Sequence, residues 1–143
     1  MAKLETRGLS KTFEKATGGT VEALRDITVS IEEGEFIAIV GASGCGKTTF
    51  LRILDGLIEQ TSGEIYLDGK PVTRPGPDRG FVFQSDSLFP WRTVLDNVVF
   101  GLELQGRPKK EARERAMEFI KLVGLSGFEK NYPHELSGGM RQR

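Results

Sequence analysis

The apolar positions along the chain divide it into alternating tracts of strand and helix character. Residues 3–6 and 23–31 are strand material, and Val21, Ile27, Val29 and Ile31 follow a partial two-residue period. Residues 14–20 between them hold Gly18 and Gly19 and read as a turn or loop. Glu32, Glu33 and Gly34 turn the chain into residues 36–40, FIAIV, an unbroken apolar run closed by Gly41. Such a run predicts a strand buried on both faces. From Lys47 the period lengthens. Phe50, Leu51, Ile53 and Leu54 fall at helical spacing, and Gly56 stands where a C-cap belongs. Thr61, Ser62 and Gly63 break the pattern, residues 64–67 form a short strand, and Asp68-Gly69 is a strong hairpin turn signal.

Residues 73–78 are turn-like, with Pro75 and Pro77 bracketing Gly76. Residues 80–84, GFVFQ, predict a second buried strand that ends in the polar Gln84. Residues 85–92, SDSLFPWR, gather Leu88, Phe89, Pro90 and Trp91. So much apolar surface either folds into the core or forms a docking surface for another protein. Thr93 is an N-cap for a helix through Val94, Val98, Leu102 and Leu104, with Gly101 inside it, and residues 106–108 break the chain. Residues 109–124 form the cleanest amphipathic helix, with Ala112, Ala116, Phe119, Ile120 and Val123 on one stripe and a Glu111–Arg115 pair on another face. Residues 126–135 read as loop, with Pro133 as a breaker.

Composition changes this picture little. The 143 residues fit one domain as a prior, and 20 basic residues balance 20 acidic ones. That balance gives no electrostatic case for nucleic acid or an anionic membrane as the main partner. No apolar stretch is long enough to span a bilayer, and the first ten residues lack the apolar core of a signal peptide, so a cytoplasmic location is expected. Cys45 is the single cysteine, which excludes an internal disulfide. His134, the single histidine, sits in a Pro-containing loop with no second base or ligand beside it and reads as structural.

The chemistry lies between the run at 36–40 and the helix from Lys47. GASGCGKT, from Gly41 to Thr48, fits G-x-x-x-x-G-K-[ST], the phosphate-binding loop. Gly41, Gly44 and Gly46 permit backbone conformations that a side chain forbids. The loop N–H groups then point inward as a nest for phosphate oxygens, and the helix adds its positive N-terminal end. Lys47 supplies an ammonium for the β- and γ-phosphates, and the Thr48 hydroxyl a ligand for Mg²⁺. Phe13 reads either as an edge-strand aromatic or as a platform for a nucleotide base. Gln84, at the carboxyl end of a sheet strand, falls where open parallel sheets bind ligands, or else begins a loop. Ser137, Gly138 and Gly139 ahead of a helix-compatible run combine a hydroxyl, free N–H groups and a helix end.

Together these motifs resemble the ATP-binding subunit of an ABC transporter. GASGCGKT is similar to the Walker A loop, FVFQ ending at Gln84 to the Q-loop, and LSGGMRQR (136–143) to the ABC signature. Phe13, in SKTF, matches the aromatic position that stacks on adenine. The stretch GPDRGFVFQSDSLFPWRTVLDNVVFGLELQG further resembles importers of nitrate, sulfonate and taurine. The resemblance implies an α/β P-loop NTPase of the ABC type, with an antiparallel β layer and a helical subdomain, divided at 1–84 and 85–143. It implies ATP and Mg²⁺ as cofactors. Nucleotide contacts fall to Phe13, Gly41, Ala42, Ser43, Gly44, Cys45, Gly46, Lys47, Thr48, Thr49 and Gln84, and to Ser137, Gly138 and Gly139 acting on the partner subunit's nucleotide. Metal contacts fall to Thr48 and Gln84, and catalytic roles to Lys47, Gln84 and Ser137. The implied partners are a membrane permease, a second ATPase subunit paired head to tail and, indirectly, a solute-binding protein.

The chain departs from the family pattern after Arg143, the position at which the sequence stops. The Walker B aspartate, catalytic glutamate and switch histidine of the family lie beyond that point. The expectation is therefore a chain that lacks the C-terminal part of the sheet. Two readings follow: an importer ATPase, or a truncated nucleotide-binding fragment without turnover of its own.

Overall fold

The computed structural model describes residues 2–85 and 87–143, which fall into two compact units, residues 1–81 and 82–143. In the first unit β1 (Leu4–Glu14), β2 (Thr20–Ile31), β3 (Ser62–Leu67) and β4 (Lys70–Pro71) form an antiparallel sheet in the order β2-β1-β3-β4. The long β1–β2 hairpin pairs Leu4 with Ile31 and Phe13 with Val21, and β3 lays Leu67 against Leu4. The residues facing inward along these strands, Leu9, Leu24, Ile65 and Leu67, meet Phe50, Ile53 and Leu54 of helix α1 (Lys47–Leu54) and Val72 in one core. The strands predicted at 3–6, 23–31 and 64–67 are present, and the first runs longer than periodicity indicates because cross-strand pairing extends it through residues 7–14, in which Leu9 and Phe13 are the only large apolar side chains.

The middle of β1 is irregular in a way the sequence supports. Its register with β2 shifts between Thr6 and Leu9, where Gly8 and Asp26 both take positive φ, +58° and +47°. Hydroxyls take up the amides displaced from the ladder: Gly8 N–H donates to Thr28 Oγ1 and Asp26 N–H to Ser10 Oγ, each at 2.9 Å. Thr6 is fully buried, and its hydroxyl donates to Ile27 O and accepts from Val29 N–H, so no polar atom is left unpaired there. Gly63 crosses this bulge so closely that a Cβ would lie 2.4 Å from Gly8 O. At the far hairpin Asp68 and Gly69 both have positive φ, as a two-residue type I′ turn requires.

Two expected strands are absent. Residues 36–40 and 80–84 adopt no strand, and Phe36, Val40 and Val82 are 95%, 88% and 93% exposed. Their composition is that of doubly buried strands, but a strand also needs neighbours to take up its N–H and C=O groups. Every strand pairing among the described residues is antiparallel and belongs to the β2-β1-β3-β4 sheet, which does not include these runs.

The second unit is helical: α2 (Val94–Leu104), α3 (Lys109–Leu122), a 3-10 turn (Pro133–Glu135) and α4 (Gly138–Gln142). Thr93 caps α2 by accepting from Asp96 N–H, as its residue type predicts. Ala112 and Ala116, fully buried, let α3 close on Val99 of α2, while Ile120 joins Val94, Leu125 and Leu136 in a second cluster. Phe119, expected on the buried stripe, is 41% exposed. The expected Glu111–Arg115 pair is also replaced. Glu111 binds Arg107 at 2.6 Å, and Arg115 binds Glu118 and lies over the Phe119 ring.

Candidate nucleotide-binding site

The phosphate-loop residues occupy the approach to α1. Residues 41–45 are exposed, and the backbone closes on itself through Cys45 N–H to Ala42 O at 3.3 Å. Gly46 is the N-cap, at φ +99°, and offers no side chain to the first turn of the helix. A Cβ there would lie 2.5 Å from Ala23 O and 2.9 Å from the Leu24 side chain, so only glycine lets the loop descend onto β2. Helices α2 and α4, by contrast, are capped by the hydroxyls of Thr93 and Ser137. The leading amides of α1, those of Lys47, Thr48 and Thr49, have no acceptor within the helix and no side-chain cap. Together with the positive helix end, that arrangement suits an anion.

Lys47 completes it. Its ammonium donates to Gly41 O at 2.8 Å and Ala42 O at 2.7 Å and lies 3.6 Å from Cys45 Sγ. The cation is thus folded across the loop, held by carbonyls. A phosphate chain offers it stronger, charged acceptors at the same place. The donor set fits a polyphosphate, and the exposed Thr48, next in the chain, carries a hydroxyl oxygen of the kind that would hold a hard divalent cation. Cys45 is exposed, and its sulfur lies 2.7 Å from where a Cβ at position 41 would be.

The remaining predicted site residues lie apart in the chain. Phe13 is paired with Val21 in the hairpin and is 37% exposed, with the Lys11 ammonium 5.0 Å from its ring centroid. Gln84 is exposed in the irregular segment that opens the second unit. Ser137 caps α4, accepting from Met140 N–H at 3.3 Å, and Gly138 and Gly139 are exposed on that turn. Arg141 donates to Leu136 O at 2.8 Å and steadies the turn from behind. His134 stacks on Tyr132, with centroids 5.8 Å apart.

In the segment that contains Trp91, Phe89 contacts Phe100 edge-on at 4.8 Å and Trp91 at 5.6 Å. Trp91 itself is 72% exposed. The cluster therefore divides between the two expectations: Phe89 packs and Trp91 stands out. The residue that sequence reasoning missed is Asn97, which ties this segment to α2. Its signal was a polar side chain amid Val94, Val98 and Leu102, inside an otherwise apolar helical pattern. Among the described residues no helix is long and apolar enough to cross a membrane.

Comparison with known proteins bears on the family and the fold. The ABC transporter family profile matches residues 24–143. An uncharacterized ABC transporter ATP-binding protein of Methanocaldococcus jannaschii is 57% identical over 141 residues, covering 99% of this chain and 52% of that protein. The nitrate import ATP-binding protein of Synechocystis is 53% identical, over 98% of this chain and 52% of that protein. A taurine import ATP-binding protein of Rhizobium johnstonii is 49% identical, over 92% of this chain and 50% of that protein. The chain thus spans about half the length of the curated relatives it matches. Among solved structures, a dimeric ATP-binding cassette bound to ADP and phosphate superimposes with a TM-score of 0.85 at 33% identity, covering 96% of this chain and 65% of that one. A subunit of the ABC transporter complex cbiONQ from Clostridium perfringens gives 0.76 at 29% identity, covering 99% of this chain and 58% of that one. By its sequence and by its fold, a P-loop α/β cassette, this chain belongs to the ABC transporter ATP-binding family.

Proposed function

We propose that this chain carries the nucleotide-binding part of an ABC importer's ATPase subunit, working at the cytoplasmic face of a membrane to drive transport of a small solute such as nitrate, a sulfonate or taurine. The substrate class is drawn from the relatives named for nitrate, taurine and aliphatic sulfonate import. The observation that carries the nucleotide reading is the uncapped start of α1 under a loop whose lysine lies among its carbonyls.

In this reading the amides of 44–48 and the Lys47 ammonium hold the phosphate tail, with Ala42, Ser43 and Thr49 around it, and Phe13 takes the base on its ring face. Thr48 and Gln84 would hold Mg²⁺, which supplies charge neutralisation across the phosphates when bound. Ser137 and the amides of Gly138 and Gly139 close on the γ-phosphate held by a second subunit. Trp91 and its neighbours dock the permease, and a solute-binding protein delivers cargo on the other side. Catalysis of this kind is mostly positioning and stabilisation of spread charge.

A second reading, a nucleotide-binding module without turnover of its own, is favoured by residues 36–40 and 80–84. Those runs flank the loop and Gln84, and neither is held in a sheet. Titration with ATP tests the binding shared by both readings: Lys47→Ala should abolish it, and unchanged affinity would remove the phosphate-loop assignment. Steady-state hydrolysis by the 143-residue chain separates the two. No turnover above the Lys47→Ala background is expected, and clear hydrolysis would sink the second reading.

A further inference from the structure

One side chain holds the turn that carries Trp91. Asn97, at the end of the first turn of α2, accepts from Phe89 N–H at 2.8 Å. Its amide nitrogen lies 3.2, 3.1 and 2.9 Å from the carbonyl oxygens of Phe89, Arg92 and Thr93. Two protons serve three acceptors, so one is shared. Arg92 N–H closes the same turn on Phe89 O at 3.1 Å. The Arg92 guanidinium lies over the rings of Phe89 and Phe100 and donates to Asp96 O. Asparagine is a poorer helix former than alanine or leucine, so helix propensity does not account for its presence here, whereas these bonds do.

The same helix start is bonded on its other side. Val94 N–H donates to Asn131 O at 2.8 Å and Leu95 N–H to Glu129 O at 3.0 Å. First-turn amides have no acceptor within a helix, so these bonds fix where α2 begins against the 129–131 segment. That segment runs on through Tyr132 N–H, held by the Glu135 carboxylate at 2.6 Å, to Leu136. Leu136 is buried against Val94, Ile120 and Leu125, and Ser137 follows it directly. The path from the aromatic turn to the serine–glycine turn is made of these hydrogen bonds and packed side chains.

We propose that Asn97 is a positioning residue that joins the 89–92 turn and the 137–139 turn into one rigid body, so that a displacement at Trp91 is delivered to Ser137. The purpose of this link rests on the docking and sealing roles given to those turns above. The link itself does not, and it is testable in the chain alone.

Backbone relaxation and amide shifts of the 143-residue chain provide the test. In Asn97→Ala, and in the near-isosteric Asn97→Asp, order parameters over 89–92 should fall from about 0.85 to below about 0.6. The amide resonances of Ser137, Gly138 and Gly139 should move with them. Val99→Ala, buried with Ala112 and Ala116 and making none of the hydrogen bonds of this path, is the control for general loosening. It should leave both regions unchanged. An ordered 89–92 turn in both Asn97 variants would overturn the proposal. So would a loosened turn with unmoved serine–glycine amides, or equal shifts in Val99→Ala. Unfolding of the helical unit in both variants would make Asn97 a general stabiliser and would also overturn it. Loss of ATP binding, by contrast, would bear only on the nucleotide reading.

Discussion

At the scale of single residues the phosphate loop shows why its glycines are not equivalent. Gly44 has φ +79° with open space around it, whereas Gly46 has φ +99° and the Ala23 carbonyl 2.5 Å from where a Cβ would be. Gly44→Ala should therefore cost about 1 kcal/mol, the price of a left-handed residue alone. Gly46→Ala adds a backbone clash and should cost about 3 kcal/mol or lift the loop from β2, with ATP affinity lost in step. Urea unfolding and ATP titration of the two variants check this, and equal losses would contradict it. The loop was legible in the sequence because its residue types carry local chemistry that needs no distant partner. The contact of Gly46 with Ala23 was not, since nothing in GASGCGKT states which strand lies beneath it. Asn97 was missed for the same reason: its four partners are backbone atoms, and backbone atoms leave no mark in a sequence.

At the scale of elements, caps and turns were the most readable features. Thr93 caps α2, Gly56 follows α1 at φ +79°, and Asp68-Gly69 makes the tight hairpin. Thr93→Ala should destabilise the helical unit by about 1 kcal/mol, while Thr93→Ser should nearly restore it. Thermal unfolding followed at 222 nm would show whether the hydroxyl matters. Charge pairing on α3 was read less well. Spacing offered Glu111 to Arg115, but Arg107 from the preceding turn and Glu118 one turn on compete for the same groups. Exposed pairs of this kind differ by tenths of a kcal/mol, so sequence spacing cannot choose among them. The apolar runs at 36–40 and 80–84 were misread for a larger reason. Pattern gives a strand's two faces, but only neighbours give it edges, and here those neighbours are not among the described residues.

At the scale of the whole molecule those two runs dominate behaviour. Phe36, Val40 and Val82 present exposed apolar surface on runs that belong to no sheet, the kind of surface that favours self-association. The chain should associate as its concentration rises, and a triple change of these residues to serine should reduce that association in sedimentation velocity. A monomeric wild type at high concentration would count against the account. Trp91→Ser in the complete subunit should weaken co-purification with the permease, whereas Phe89→Ser should also loosen the unit, because Phe89 packs on Phe100. The bare segment between β2 and α1 has one more consequence. Chymotrypsin should cut after Phe36 well before it cuts within the hairpin. Leu24 on one side of that cut and Phe50 on the other belong to the same packed cluster. The nicked halves should therefore stay together without a covalent join, and the two pieces, expressed separately, should reassemble into the first unit.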